Sequence, residues 1–579
     1  MAGALRYDAP NYYDQHGKSK KRRWCLVVTG VIVLVAVICA IAIPISLNNN
    51  KDKNNHSGPM GGSSGATGLQ KACNQTLYYD VCMQSLRDYP NANSSNPLDL
   101  VKIALYAASE SVSEELERAR ELQNQTSSDG NLTIAATACM DNLVDSLDEI
   151  NQTMDRLDNW DVANLENELA DLQTWMSAAL TLEDTCRDGF QDLNVTGPAA
   201  DEFLNNGTYV QKVLSNALAF INILRTVTNN VLGRRLLMER SSRDDDPSER
   251  WIGSLRRLLQ TTQNITVDVT VALDGSGKYK KIQDAVDSAP EKSKTRYVIR
   301  IKAGKYKENV IVDKSRQNIM FIGDGQGKTI ITGSKSVVGS GVTTSLTGTL
   351  TVLGKGFIGR DFTVENTAGA INHQAVALRV NADMSAFWRC TFTGFQDTLY
   401  THAYRQFYKQ CTVTGTVDFI FGNAAVVLQD CTILADVGIQ GQQNTYTAQG
   451  RLDPNMNTGI SFHKCTIDAT PALKKATSPA QTFLGRPWKP YAVTVFMQST
   501  LGSIVDPTGW MLWNGDTTRS STVYYAEYKN TGAGSGTSKR VNWSFQITNP
   551  TVAQKFTPNK LLSASSWLNA YGIPYTGTL

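Results

Sequence analysis

Two stretches of this 579-residue chain share one pattern. C-T-F-T-G-F-Q-D at 390–397 and C-T-V-T-G-T-V-D at 411–418 both read Cys-Thr-x-Thr-Gly-x-x-Asp, and the second starts 21 residues after the first. Each ends on an aspartate, Asp397 or Asp418, beside apolar neighbours in Q-D-T-L and D-F-I-F-G. If the copies are equivalent units stacked on one scaffold, the two carboxyl groups stand about one strand spacing apart. Carboxylates that close cannot both ionise freely, so they titrate as a coupled unit with one pKa raised. One can then donate a proton while the other stays anionic, a division of labour suited to acid–base and nucleophilic chemistry. Turn or capping aspartates would give the same letters, but the apolar settings argue against that.

The scaffold can be read from the same repeat. Cys-Thr closes F-W-R-C-T, Y-K-Q-C-T, L-Q-D-C-T and F-H-K-C-T at 390, 411, 431 and 465. A period near 20 residues in a turn-rich β sequence predicts a right-handed parallel β-helix, whose coils stack about 4.8 Å apart. The cysteines then form one ladder, and neighbours in it are close enough to be bridged. The other two coils carry Gly438 and Ala472 where Asp397 and Asp418 stand, so two adjacent rungs hold the acids. β texture runs from about 263, with strands expected at 297–301, 318–322 and 349–352 and a helix only near 282–285. G-D-G-Q-G-K-T at 323–329 is no phosphate loop, because Ile322 stands where the first glycine is needed.

The rest of the chain is organised differently. Residues 69–232 are rich in Leu, Ala, Asp and Glu with apolar residues at spacings of three and four, which predicts an antiparallel helical bundle. Cys73 and Cys82 would close a short loop, and Cys139 and Cys186 would staple two helices. Residues 233–259 read as a polar processing linker with R-R-L-L twice, at Arg234–Arg235 and Arg256–Arg257. Residues 46–68 read as a flexible tether; its G-G-S-S-G carries no weight as a nucleophile elbow.

A basic cytosolic tail, 1–23, precedes an uncharged run at 24–45 that is long enough to span a bilayer as a type II signal anchor. A cleaved signal peptide is the alternative. Ten N-x-S/T sequons, eight of them before residue 210, suit a luminal glycoprotein in a disulfide-permissive compartment. Net charge is +3, yet residues 260–579 hold 32 basic against 20 acidic residues, and residues 1–259 hold 24 against 33. Such asymmetry predicts mutual docking or a polyanionic partner for the basic part.

At the aspartates the chain resembles the plant pectin methylesterases. G-F-Q-D-T-L-Y (394–400), T-V-D-F-I-F-G (416–422), G-K-Y-K-E (304–308), Q-A-V-A-L (374–378) and L-G-R-P-W (484–488) match that family's blocks in order. The preceding region resembles, more loosely, the helical pectin methylesterase inhibitor domain of long-form members. The resemblance implies hydrolysis of pectin methyl esters to pectate and methanol in cell-wall modification. Asp418 would be the nucleophile, Asp397 the proton donor and base, and Arg486 the partner that orients Asp418. Gln374 and Gln396 would stabilise the oxyanion, and Thr344, Phe421 and Trp488 would contact substrate together with Gln374 and Arg486. It further implies a Cys411–Cys431 bridge, with Cys390 and Cys465 left as thiols. No cofactor or metal is implied. Expected partners are methyl-esterified pectin, a subtilisin-like processing protease, the acidic helical domain as an inhibitor in cis that occludes the cleft until the R-R-L-L linker is cut, inhibitor proteins in trans, and the membrane before processing; nucleic acid is not among them. The precursor is expected in Golgi or secretory membranes and the mature enzyme in the apoplast.

Rival readings remain at this level. Paired carboxylates also cleave glycosidic bonds, but two glutamines and an arginine fit acyl transfer better. A calcium-dependent lyase would want more clustered oxygen ligands. A Ser-His-Asp site lacks a placed serine among the few histidines of the β region, His373, His402 and His463. A basic β-helix could also simply bind polygalacturonate without catalysis.

Overall fold

The computed structural model describes residues 67–94, 96–125, 130–159, 161, 164–239 and 265–579. The expected membrane span at 24–45, residues 46–66 of the tether and the second R-R-L-L with Arg256 and Arg257 lie outside the described residues; the tether's last residue, Gly68, already begins a helix capped by Thr67. Among the described residues no helix is long and apolar enough to cross a membrane.

Two short helices, α1 (Gly68–Cys73) and α2 (Tyr79–Leu86), lead into four long ones. These are α3 (Pro97–Gln125), α4 (Gly130–Asp158), α5 (Leu165–Asp192) and α6 (Pro198–Glu239). They pack as a ring in which α3 meets α4 and α6, and α5 meets α4 and α6. The expected disulfides form: Cys73–Cys82 ties α1 to α2, and Cys139–Cys186 ties α4 to α5. One boundary differs from expectation. The helix α6 continues to Glu239, so the backbone at Arg234 and Arg235 is helical, not linker. Gly233 does not stop it, because the Leu, Arg, Met and Glu that follow are good helix formers.

From Val269 the chain winds into stacked coils forming sheets of eleven, six and eight strands, every named pairing parallel. The strand expected at Tyr297–Ile301 forms with those bounds, and those expected at 318–322 and 349–352 appear as Ile319–Gly323 and Leu350–Val352. Apolar residues pointing inward stack coil on coil. Phe387 lies flat on Tyr408 with ring centroids 5.1 Å apart, and Phe462 on Phe496 at 4.3 Å. Such offset aromatic pairs add to the gain from burial itself. The C-terminal segment covers the outer face of the largest sheet, packing Leu562, Trp567 and Leu568 against Ala386, Phe407 and Val427.

The Cys-Thr ladder is as read: Thr391, Thr412, Thr432 and Thr466 pair in register through adjacent strands. The Cys411–Cys431 bridge is not formed; Cys390, Cys411, Cys431 and Cys465 are all buried free thiols. Parallel in-register stacking points the thiols the same way, and each turns toward backbone carbonyls instead. Cys411 Sγ lies 3.5 Å from the Phe387 carbonyl, and Cys431 Sγ 3.5 Å from that of Tyr408.

The bundle rests on the β-helix through α5, whose residues are buried almost throughout. Ala403, Tyr404 and Met456 of the β-helix join the bundle's apolar core. Charge follows the asymmetry seen in the sequence. Lys314 reaches Asp145, Asp148 and Glu149 on α4 at 3.1–3.5 Å, and Arg405 pairs with Asp171 at 2.7 Å.

Several carboxyls are buried in this assembly. Burial pushes Glu115 and Glu149 up to about 7, and burial with the nearby Glu115 raises Glu183 well above its ordinary value. A carboxyl raised in the fold contributes stability that is complete below its unfolded value and is lost as pH rises through the folded one. His402 and His463, lowered chiefly by burial, act in the opposite sense, but only below about pH 6.5. The melting temperature of the uncut chain should therefore fall as pH rises from about 6.5 through the folded value near 7. Scanning calorimetry tests this, and a flat profile would contradict it.

Candidate active site

The register that aligns the threonines also aligns the acids. Leu399 pairs with Ile420 and Tyr400 with Phe421, so Asp397 and Asp418 precede neighbouring strands at equivalent positions. The Asp397 N–H donates to the Val417 carbonyl at 3.1 Å, binding one coil to the next. Both aspartates have left-handed backbone, with φ of 63° and 51°. Aspartate enters that region more readily than most residues, and such strain is common at functional sites. Gly422, which ends D-F-I-F-G, is required: at its φ of 118° a Cβ would lie 2.2 Å from the Thr401 carbonyl oxygen.

Asp418 is held on all sides. Arg486 donates Nε to Oδ1 at 2.9 Å and Nη2 to Oδ2 at 2.7 Å, a bidentate fork. The Thr445 hydroxyl donates to Oδ1 at 2.6 Å while accepting the Asp418 N–H at 2.7 Å. The Arg486 guanidinium stacks 4.4 Å from the Trp513 ring centre. The preceding Gly485 lets that segment press against the coil, since a Cβ there would meet Thr447 Oγ1 at 2.0 Å.

Asp397 sits in a different environment. It is 7% exposed, and burial, then the charges of Asp418 and Asp192, hold its carboxyl well above the usual range, with Arg486 opposing. Asp397 thus holds its proton more firmly than an ordinary carboxyl. The two acids therefore sit in unlike environments, Asp418 gripped by Arg486 and Thr445 and Asp397 buried beside it.

Both acids line a cleft of 490 Å³. Gln374, Gln396, Thr344, Phe421, Arg486 and Trp488, all singled out from sequence, line the same cleft. Tyr400 stacks on Phe421 at 4.2 Å, and Trp488 stands 6.0 Å from Phe421 at a tilt, making an apolar wall. Amide side chains beside an acid pair can stabilise a developing oxyanion, and the aromatic wall suits a sugar ring.

Sequence reasoning missed three side-chain contacts. Tyr400 ends a matched block while Thr445 and Trp513 lie outside all of them, and nothing in their spacing announces a contact with Asp418, Phe421 or Arg486. That the helical domain would cover the cleft was expected, but not which residues do so: Thr185, Asp188, Gly189, Gln191 and Asp192 of α5 line it opposite the acids. Asp192 Oδ2 accepts the Thr344 N–H at 2.7 Å, and Asp184 and Asp188 bind Lys489 at 2.7 and 2.9 Å.

Comparison with known proteins agrees with this architecture. The pectinesterase family model matches residues 268–565, and that of the plant invertase/pectin methylesterase inhibitor matches 67–220. A pectinesterase/pectinesterase inhibitor U1 from Solanum lycopersicum is 40% identical over 573 residues, covering 96% of this chain and 97% of its own. Pectinesterase 3 from Citrus sinensis is 42% identical, covering 91% of each. A solved pectin methylesterase from carrot is 53% identical, covers 55% of this chain and all of its own, and superposes with a TM-score of 0.54. The chain belongs to the pectinesterase family, as a long-form plant pectin methylesterase with an inhibitor-type domain ahead of the catalytic β-helix.

The fork on Asp418 makes a specific demand. Arg486→Lys keeps the charge but loses the second hydrogen bond and the stack on Trp513. We expect kcat/KM for pectin demethylation to fall by about 100-fold, within the range set by loss of a positioned charge-assisted donor. Steady-state methanol release checks it; a change of less than about twofold would mean the fork is dispensable.

Proposed function

We propose that Asp418 is the nucleophile and Asp397 the acid–base of pectin methyl-ester hydrolysis. The carrying observation is the contrast between the acids: Arg486 and Thr445 grip Asp418, while Asp397 is buried and disposed to hold a proton. Asp418 attacks the ester carbonyl carbon, and the tetrahedral oxyanion turns toward the Gln374 and Gln396 amides. The C–O bond to methoxide breaks, Asp397 supplies the proton, and methanol leaves an acyl anhydride on Asp418. Asp397, now a carboxylate, takes a proton from water as it attacks the anhydride. Free uronate departs, and Asp418 is regenerated. Thr344 and the wall of Phe421 and Trp488 hold the sugar rings.

Asp418→Asn removes the nucleophile but keeps the shape. Methanol release from methylated pectin should drop to background while pectin binding persists. Undiminished release would end this mechanism.

The helical domain acts as an inhibitor in cis. Helix α5 lines the cleft opposite the acids and engages Thr344 and Lys489, so it takes up ground that a polymer lying across Asp418 would need. Cutting the segment between the two units releases it. Sequence alone supports R-R-L-L as the place for a subtilisin-like protease, 24–45 as the membrane anchor, and the cell wall as the destination. The uncut chain should show a small fraction of the activity of the cleaved, separated catalytic part. Equal activity in a methanol-release assay would refute inhibition in cis.

A further inference from the structure

Lys489 follows the matched L-G-R-P-W block, yet the reaction does not use it. Its Nζ binds Asp184 at 2.7 Å and Asp188 at 2.9 Å, and it lies 5.2 Å from the centre of the Trp488 ring. Among the described residues, the carboxylates paired with Lys489 all belong to α5. The catalytic part therefore presents a cation beside its sugar wall that the helical domain neutralises.

Asp184, Asp188 and Asp192 are four residues apart, so they share one face of α5 and rise about 6 Å per step. Asp188 and Asp192 face the catalytic cleft, and Asp192 takes the Thr344 N–H. A row of carboxylates laid along a cleft is the chemistry of a de-esterified galacturonan, a linear polymer with one carboxyl group per ring. The methyl ester undergoing attack is neutral and needs no such cation. A neighbouring unit that has already lost its methyl group carries a free carboxylate and does.

We propose that Lys489 is a specificity-determining residue that binds the free carboxylate of a de-esterified uronate unit next to the unit being demethylated, a place that Asp184 and Asp188 occupy in the uncut chain. The inference rests on the reading that the cleft hydrolyses the ester and that α5 blocks it. The uronate ring would lie on Trp488 with its carboxylate on Lys489. Hydrolysis would then extend existing de-esterified stretches.

The test uses the catalytic part freed from the cleaved protein; the carrot enzyme, whose whole chain aligns with that part, indicates that it folds without the helices. The readout is kcat/KM on half-de-esterified oligogalacturonide divided by that on the fully methylated one. Lys489→Gln should lower this ratio about tenfold, what one charge-assisted hydrogen bond carries. Lys489→Arg should recover most of it. Unesterified oligogalacturonide should also displace the helical part from the cleaved wild-type complex. A Lys489→Gln ratio equal to the wild-type value overturns the proposal, leaving Lys489 as a docking residue only. If that variant fails to fold, absence of displacement in the wild-type complex overturns it instead. Neither result touches the esterase reading, which falls only if Asp418→Asn still releases methanol.

Discussion

In-register stacking of parallel coils is the constraint on which this protein depends. Backbone hydrogen bonds between adjacent coils require that a residue and its counterpart in the next coil stand side by side, as Leu399 does with Ile420. The constraint is set by the core. Phe387 on Tyr408 and the buried cysteines of the Cys-Thr corners hold the register, because a slip of one residue would turn the whole apolar set outward. Asp397 and Asp418 are adjacent because the core allows no other alignment. Their difference in character is then imposed by what reaches each from outside its own coil: Arg486 and Thr445 for Asp418, burial for Asp397.

A second interaction sits on top of the first. The acidic bundle and the basic β-helix meet through buried ion pairs and a shared apolar core, with α5 as the common element. Breaking one partner of such pairs is costly, since it leaves a buried charge alone. Cutting the chain breaks no pair; it only removes the tether that keeps the bundle at high effective concentration. On the function proposed above, the catalytic cleft and the inhibitory surface are one surface, read by a helix in one state and by a polymer in the other.

Much of this was legible in the chain. The Cys-Thr repeat located the coils, their register and the two acids, because a stacked fold writes its geometry as a period. Helical spacing located the bundle, and the cysteines of α1, α2, α4 and α5 paired as read. The Cys411–Cys431 bridge was not formed, since spacing allows a bridge without deciding which way a thiol turns. The first R-R-L-L lies in the helix α6 because local helix propensity carries on past Gly233.

Sequence by itself determined the two folded units, their opposite charges, the pairing of Asp397 with Asp418 and the blocks that carry the glutamines, Arg486 and Trp488. These are consequences of periodicity and local pattern, which a linear string records. Only the tertiary structure decided that Thr445 grips Asp418, that Trp513 backs Arg486, and that Asp184, Asp188 and Asp192 lie across the cleft on Lys489 and Thr344. Those contacts join residues tens to hundreds of positions apart, through side chains that meet only once coils and helices have packed, and no short-range spacing encodes them.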